Sequence, residues 1–144
     1  MPEAPHPLAS TDDLRRARSS LAEAELAQRP GDRYLAAHLT ALRVVAIVLT
    51  HRAAPARARS SSKPRTAWRM LAEVAPELAE WAAFFATTEA KRDAIRAGAT
   101  AIVSAREADD LVRDVEAFLR LVERAVGFSA VRERTIDAAA ATGP

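Results

Sequence analysis

The chain has no cysteine. That excludes a disulfide framework, thiolate metal ligands and cysteine nucleophiles, and it fits a reducing cytoplasm. Glycine is scarce, with four residues in 144, and aromatics make up only 5%. Few glycines leave few tight turns, so hairpin-rich folds are disfavoured. The opening Met1 to Pro7 carries an acid and three prolines and lacks the basic start and apolar run of a signal peptide. The longest unbroken apolar run, Val44 to Leu49, falls far short of the roughly 20 residues that span a bilayer. No membrane association is expected, and the cytoplasm is the expected location.

What is abundant is alanine, the strongest helix former. With no strand-like alternation and no internal repeat, this composition predicts an all-α, up-down bundle of four to five helices. Residues 1–9 read as a flexible N-terminal tail. The bundle occupies 10–127, and 128–144 forms a C-terminal extension, a frayed helix or disordered. Within the bundle, Ser10 or Thr11 caps a first helix with Asp12 and Asp13 in its first turn, and Leu14, Ala17, Leu21 and Ala24 mark its buried face. Pro30-Gly31 closes it. Asp32 caps a second helix running to about Ala53, with Leu35, Leu39, Leu42, Val45 or Ala46, and Leu49 as its stripe. Val44, Ile47 and Val48 widen that stripe, as suits the central helix of a bundle.

A basic loop, 54–65, follows. Thr66 then caps a short helix carrying Trp68 and Leu71, and Pro76 suits the first turn of the next helix or a kink. The stripe resumes at Leu78, Trp81, Ala82 and Phe85. Thr88 restarts a turn that ends at Gly98. Ser104-Ala105-Arg106-Glu107 is a capping box, opening a last helix with Ala108, Leu111, Val112, Val115, Phe118 or Leu119, Val122 and Val126. Gly127 is the expected left-handed cap.

Charge is unevenly distributed. Between Asp32 and Glu73 there is no acid, while Arg33, Arg43, Arg52, Arg57, Arg59, Lys63, Arg65 and Arg69 give a local +8. The remainder of the chain carries −6, leaving the net +2. Arg43, Arg57, Arg59, Lys63 and Arg65 are the candidate phosphate contacts, with Trp68 nearby as a base-stacking or, more simply, a core residue. The plainer account of the segment is a solvated loop.

Arg33 and His38 are the candidate catalytic pair. A His acts as acid or base on a ribose 2′-hydroxyl, while an Arg stabilises the phosphate charge. Positions five apart on a helix lie about 140° apart around the axis, so the two share a face only if Arg33 reaches across from the first turn. The plainer account puts His38 partly buried on a core-facing helix and Arg33 on the surface. His6 and His51 stand alone, no metal-ligand spacing exists, and no Gly-rich phosphate loop is present, so no metal or other cofactor is expected. Trp81, Phe84 and Phe85 are candidate interface residues. Trp81 and Phe85 share a helical face, and Phe84 is offset by about 100° toward solvent or a partner.

Four blocks carry a family resemblance. They are Arg33-Tyr34-x-x-Ala37-His38-Leu39-x-Ala41-Leu42-Arg43, then Thr66-Ala67-Trp68, then Ala75-Pro76-Glu77-Leu78-Ala79-Glu80-Trp81-Ala82-x-Phe84-Phe85, and Ser104 to Leu111. Together they resemble a small bacterial subfamily of HEPN domains, over roughly Leu14 to Val126. The resemblance implies a compact antiparallel bundle, often a homodimer. Many HEPN domains are metal-independent ribonucleases with an Arg-x(4–6)-His motif on a late helix, paired across a dimer. Here the one such spacing opens the second helix, and the last helix contains no His. Non-catalytic members are RNA-binding or protein-binding modules, and this subfamily is associated with DNA-repair polymerases as neighbours. The expected function is therefore a non-catalytic binding module for nucleic acid, RNA or DNA, or for a protein of nucleic-acid metabolism or repair. The alternatives are a metal-independent ribonuclease using Arg33 and His38, and a purely structural protein-interaction domain.

Overall fold

The computed structural model describes residues 7–52 and 66–142. Among them are five α-helices and two 3-10 turns, with no strand: α1 (Pro7–Leu26), α2 (Pro30–His51), α3 (Ala67–Val74), the turn Pro76–Leu78, α4 (Ala79–Arg96), the turn Thr100–Ile102, and α5 (Ala105–Ala141). The architecture is the helical bundle that composition and resemblance predict.

Local sequence explains most boundaries. Thr66 accepts a hydrogen bond from the Arg69 N–H at 3.2 Å and so caps α3. Ser104 accepts from the Glu107 N–H at 3.1 Å, half of the expected capping box at the head of α5. Gly98 has φ +108°, which an L side chain rarely adopts. The Gly98 N–H donates to the Ile95 carbonyl and the Ala99 N–H to the Ala94 carbonyl, so α4 closes in a Schellman motif.

Four expectations need correction. First, α1 begins at Pro7, ahead of Ser10 and Thr11, because proline at the first helical position lacks only a donor that would be unsatisfied anyway. Secondly, α2 is entered through Arg29, in an extended conformation, with Pro30 in the first turn, so Asp32 lies inside the helix and does not cap it. Thirdly, α4 runs unbroken through Thr88, whose hydroxyl donates back to the Phe85 carbonyl at 2.8 Å. Fourthly, Gly127 does not end α5. Glycine inside a helix costs about 1 kcal/mol relative to alanine, and the good helix formers on both sides carry the helix on to Ala141. At 1.5 Å per residue its 37 residues extend about 55 Å.

The core is one cluster around α2. Leu14, Ala17 and Leu21 of α1 meet Ala37, Ala41, Val44 and Val48 of α2, with Leu111, Val115, Phe118, Leu119 and Val122 of α5 and Trp68, Leu71 and Phe85 of α3 and α4 completing it. By length and composition α2 would pass as a membrane span, but half of that apolar window is buried against its own neighbours. Its burial phase differs from the expected stripe. Tyr34, Ala37, His38, Ala41, Val44 and Val45 point inward, and Leu39 is 46% exposed. Buried Thr40 is fully satisfied, donating to the Ala36 carbonyl at 2.9 Å and pairing with the Ser20 hydroxyl of α1 at 2.9 Å. Arg18 of α1 adds a bridge to α5, with Nη2 at 2.6 Å from Glu123 and Nη1 at 3.2 Å from Glu116.

Candidate functional site

The structure separates the two candidate catalytic residues. His38 is completely buried on the side of α2 that faces α3 and α4. Its ring meets the edge of Trp68 with centroids 5.6 Å apart and planes at 80°. Trp68 stacks on Phe85 at 5.2 Å, and Phe85 touches Phe118 at 5.2 Å, so His38 ends an aromatic column reaching across the core. Among the described residues, neither ring nitrogen of His38 has a hydrogen-bond partner, and the Trp68 indole nitrogen has none either. Burial without a partner disfavours the charged form. It pushes the imidazole pKa down to about 4, with the Arg92 charge adding to the effect and the nearby Phe85 carbonyl and Asp93 opposing it. That carbonyl is already taken by the Thr88 hydroxyl. His38 is thus neutral at neutral pH and has no path to a substrate hydroxyl.

Arg33 turns the other way. Its Nη1 donates to Asp109 of α5 at 2.7 Å and its Nε to the Ala27 carbonyl at 3.1 Å. These bonds fasten the α1–α2 turn to the head of α5, and the Arg33 side chain is only 16% exposed. The 140° separation on α2 is therefore realised in full: one residue ties loop to helix, and the other packs against aromatics. As a catalytic pair, Arg33 and His38 are not brought together.

The remaining candidates divide. Arg57, Arg59, Lys63 and Arg65 lie outside the described residues, within the segment that joins Arg52 to Thr66. Arg43 is exposed, in a shallow cavity of about 400 Å3 between α1 and α2 that also contains Asp13 and Arg16. Asp13 is engaged by Arg16 at 3.1 Å. Trp68 is 2% exposed, so it packs and does not offer a face to a base. Of the expected interface residues, Phe85 is a correction, since it is entirely buried in the aromatic column. Trp81 is half-buried, stacked on Phe85 at 5.9 Å and tilted against Phe118 at 5.5 Å. Phe84 alone is exposed, at 37%.

Phe84 marks a feature that the sequence reading missed. A cavity of about 310 Å3 lies between α4 and the first turns of α5, lined by Tyr34, Phe84, Thr87, Lys91, Asp110 and Asp114 among others. A second, of about 270 Å3, adjoins it and is lined by Glu80, Trp81, Phe84 and Asp114. They share Phe84 and Asp114 and form one groove. The signal available in the sequence was Asp110 and Asp114, like charges four apart and so on one helix face beside Leu111. It reads as a solvated face until tertiary structure sets Phe84 opposite. Among the described residues, no three His, Asp or Glu side chains are grouped as a metal site would need.

Comparison with known families agrees with this architecture. The model of the SAV_6107-like HEPN family matches residues 24–123, which takes in α2, α3, α4 and most of the core-forming part of α5. The chain belongs to this HEPN family. No curated protein and no solved structure matches it.

Proposed function

We propose that this chain is a non-catalytic HEPN module that binds nucleic acid through its basic segment. The observation that carries the reading is the fate of His38, sealed in the core while Arg33 is held by Asp109. A general acid or base must come within about 3 Å of the proton it moves, and a ring behind Trp68 and Phe85 does not. The HEPN framework is present, and its one Arg-x(4)-His spacing serves packing and turn fastening.

Charge supports nucleic acid as the partner. Of the eight bases between Asp32 and Glu73, Arg33, Arg52 and Arg69 are compensated by Asp109, Glu77 and Glu73. Arg43 on α2 and the four cations Arg57, Arg59, Lys63 and Arg65 add to these, the last four falling within nine residues of sequence with no acid among them. Such a cluster attracts a polyanion and releases its counterions on binding.

The test is fluorescence anisotropy with labelled single-stranded RNA across a salt series, comparing wild type with a variant in which Arg57, Arg59, Lys63 and Arg65 are all Ser. Four phosphate contacts to a single strand predict that the slope of log K against log salt becomes shallower by about 3 in the variant. Unchanged affinity and slope at low salt overturn the reading.

A further inference from the structure

We propose that the groove between α4 and the first turns of α5 is a docking site for an arginine side chain of a partner protein. The Thr87 hydroxyl donates to the Phe84 carbonyl at 2.6 Å and the Thr88 hydroxyl to the Phe85 carbonyl at 2.8 Å. The Tyr34 hydroxyl donates to the Thr88 carbonyl at 3.4 Å. Lys91 is paired with Glu107. Apart from the Trp81 indole N–H, every donor side chain lining the groove is thus already committed within the fold.

The acceptors are in surplus. Among the described residues, Asp110 reaches only Arg113, at 3.5 Å, in a pair that is mostly exposed on both sides. Among the described residues, Asp114 and Glu80 have no ion-pair partner. Once Lys91 is counted against Glu107 and Arg113 against Asp110, Glu80 and Asp114 remain without a counter-ion among the described residues. Burial and the neighbouring Asp110 hold the Asp114 carboxyl above the usual carboxylate range, while Arg113 opposes them only weakly. A cation entering the groove would relieve that cost.

The groove floor selects the kind of cation. Trp81 and Phe84 meet edge to face with centroids 6.4 Å apart, and Phe84 offers its ring to solvent. Aromatic rings and carboxylates lining one groove suit a flat guanidinium, which stacks on a ring and donates to carboxylates in its own plane. An ammonium fits this geometry less well, because it is a strongly hydrated point charge. The same charge repels a phosphate backbone, so the groove is unsuited to RNA. It also lies at the opposite end of α2 from His51. Tyr34 lines the groove and His51 precedes the segment, and these 17 residues of helix span about 25 Å.

The experiment is an NMR titration of the full chain with a peptide holding one arginine between leucines, and with the same peptide holding citrulline, which has the same shape and no charge. The expected result is shifts of the amides of Thr87, Thr88 and Asp110 to Asp114 with the arginine peptide, and binding weaker by about tenfold with citrulline. Asp114→Asn, which keeps the side chain's shape, and Phe84→Ala, at the surface, each weaken the arginine peptide by about tenfold while the rest of the spectrum keeps its folded pattern. Equal binding of the citrulline peptide, indifference to Asp114→Asn, or no shifts at millimolar peptide overturns the proposal. RNA that perturbs the same amides overturns it as well. The variant with Ser at the four basic-segment positions retains peptide binding, so failure of the nucleic-acid reading and failure of the groove are distinguishable.

Discussion

The burial of His38 makes stability pH-dependent in a definite direction. In the unfolded chain its imidazole titrates near 6.5, and in the folded core at about 4. Between these values the unfolded state binds more protons, so unfolding becomes easier as pH falls. The contribution of neutral His38 is complete above pH 6.5 and is lost progressively as pH drops toward 4. Linkage gives a loss of about 1 kcal/mol at pH 6, about 2 at pH 5 and about 3 at pH 4. Set against the roughly 5–15 kcal/mol typical of a domain, these losses are easily measured.

Carboxylates also titrate at the low end, so the informative quantity is a difference between two proteins. His38→Leu keeps the volume approximately and removes the two unpartnered ring nitrogens. At pH 7 it is expected to be at least as stable as wild type, since a buried polar atom without a partner costs about 1–3 kcal/mol. Urea unfolding followed by far-UV circular dichroism at pH 7, 6 and 5 measures both proteins. The gap in favour of His38→Leu should widen by about 2 kcal/mol between pH 7 and pH 5. A gap that stays constant over that range would refute the sealed, neutral histidine.

Two further predictions test the scaffold. Arg33→Met and Asp109→Asn should each lower stability, and a double-mutant cycle should give a coupling of about 1 kcal/mol because the Arg33 side is nearly buried. Coupling below about 0.3 kcal/mol would mean that the pair is ornamental. Gly98→Ala meets no neighbouring atom, so its cost is the backbone alone at φ +108°. Loss of about 1–2 kcal/mol, read as a melting temperature lower by a few degrees, is expected, and an unchanged melting temperature would contradict it.

Features governed by a few neighbouring residues were legible in the sequence. Thr66, Gly98 and the Ser104-Glu107 box each satisfy helix-end groups locally, and their positions follow from residue type. The buried positions of α1 and α5 were legible too, because polar residues cover their other faces and fix the phase. Helix α2 offered no such contrast. Apolar residues surround most of it, so periodicity left the burial of His38 as one of two readings and put Leu39 on the buried stripe, from which it turns out. Gly127 was misread for a different reason: a glycine permits a stop and does not impose one. The groove was illegible because Tyr34, Phe84 and Asp114 stand on three helices, and only packing sets them side by side. The basic segment is the reverse case, legible from composition alone and lying outside the described residues.

The most direct test of the non-catalytic reading is incubation of the folded protein with labelled single-stranded RNA in EDTA, followed on a denaturing gel, with wild type beside His38→Leu. The account predicts full-length RNA in both lanes, with binding that weakens as salt rises and is the same for the two proteins. Cleavage by wild type that disappears in a folded His38→Leu protein would contradict it, and would require His38 to leave the core and meet the substrate.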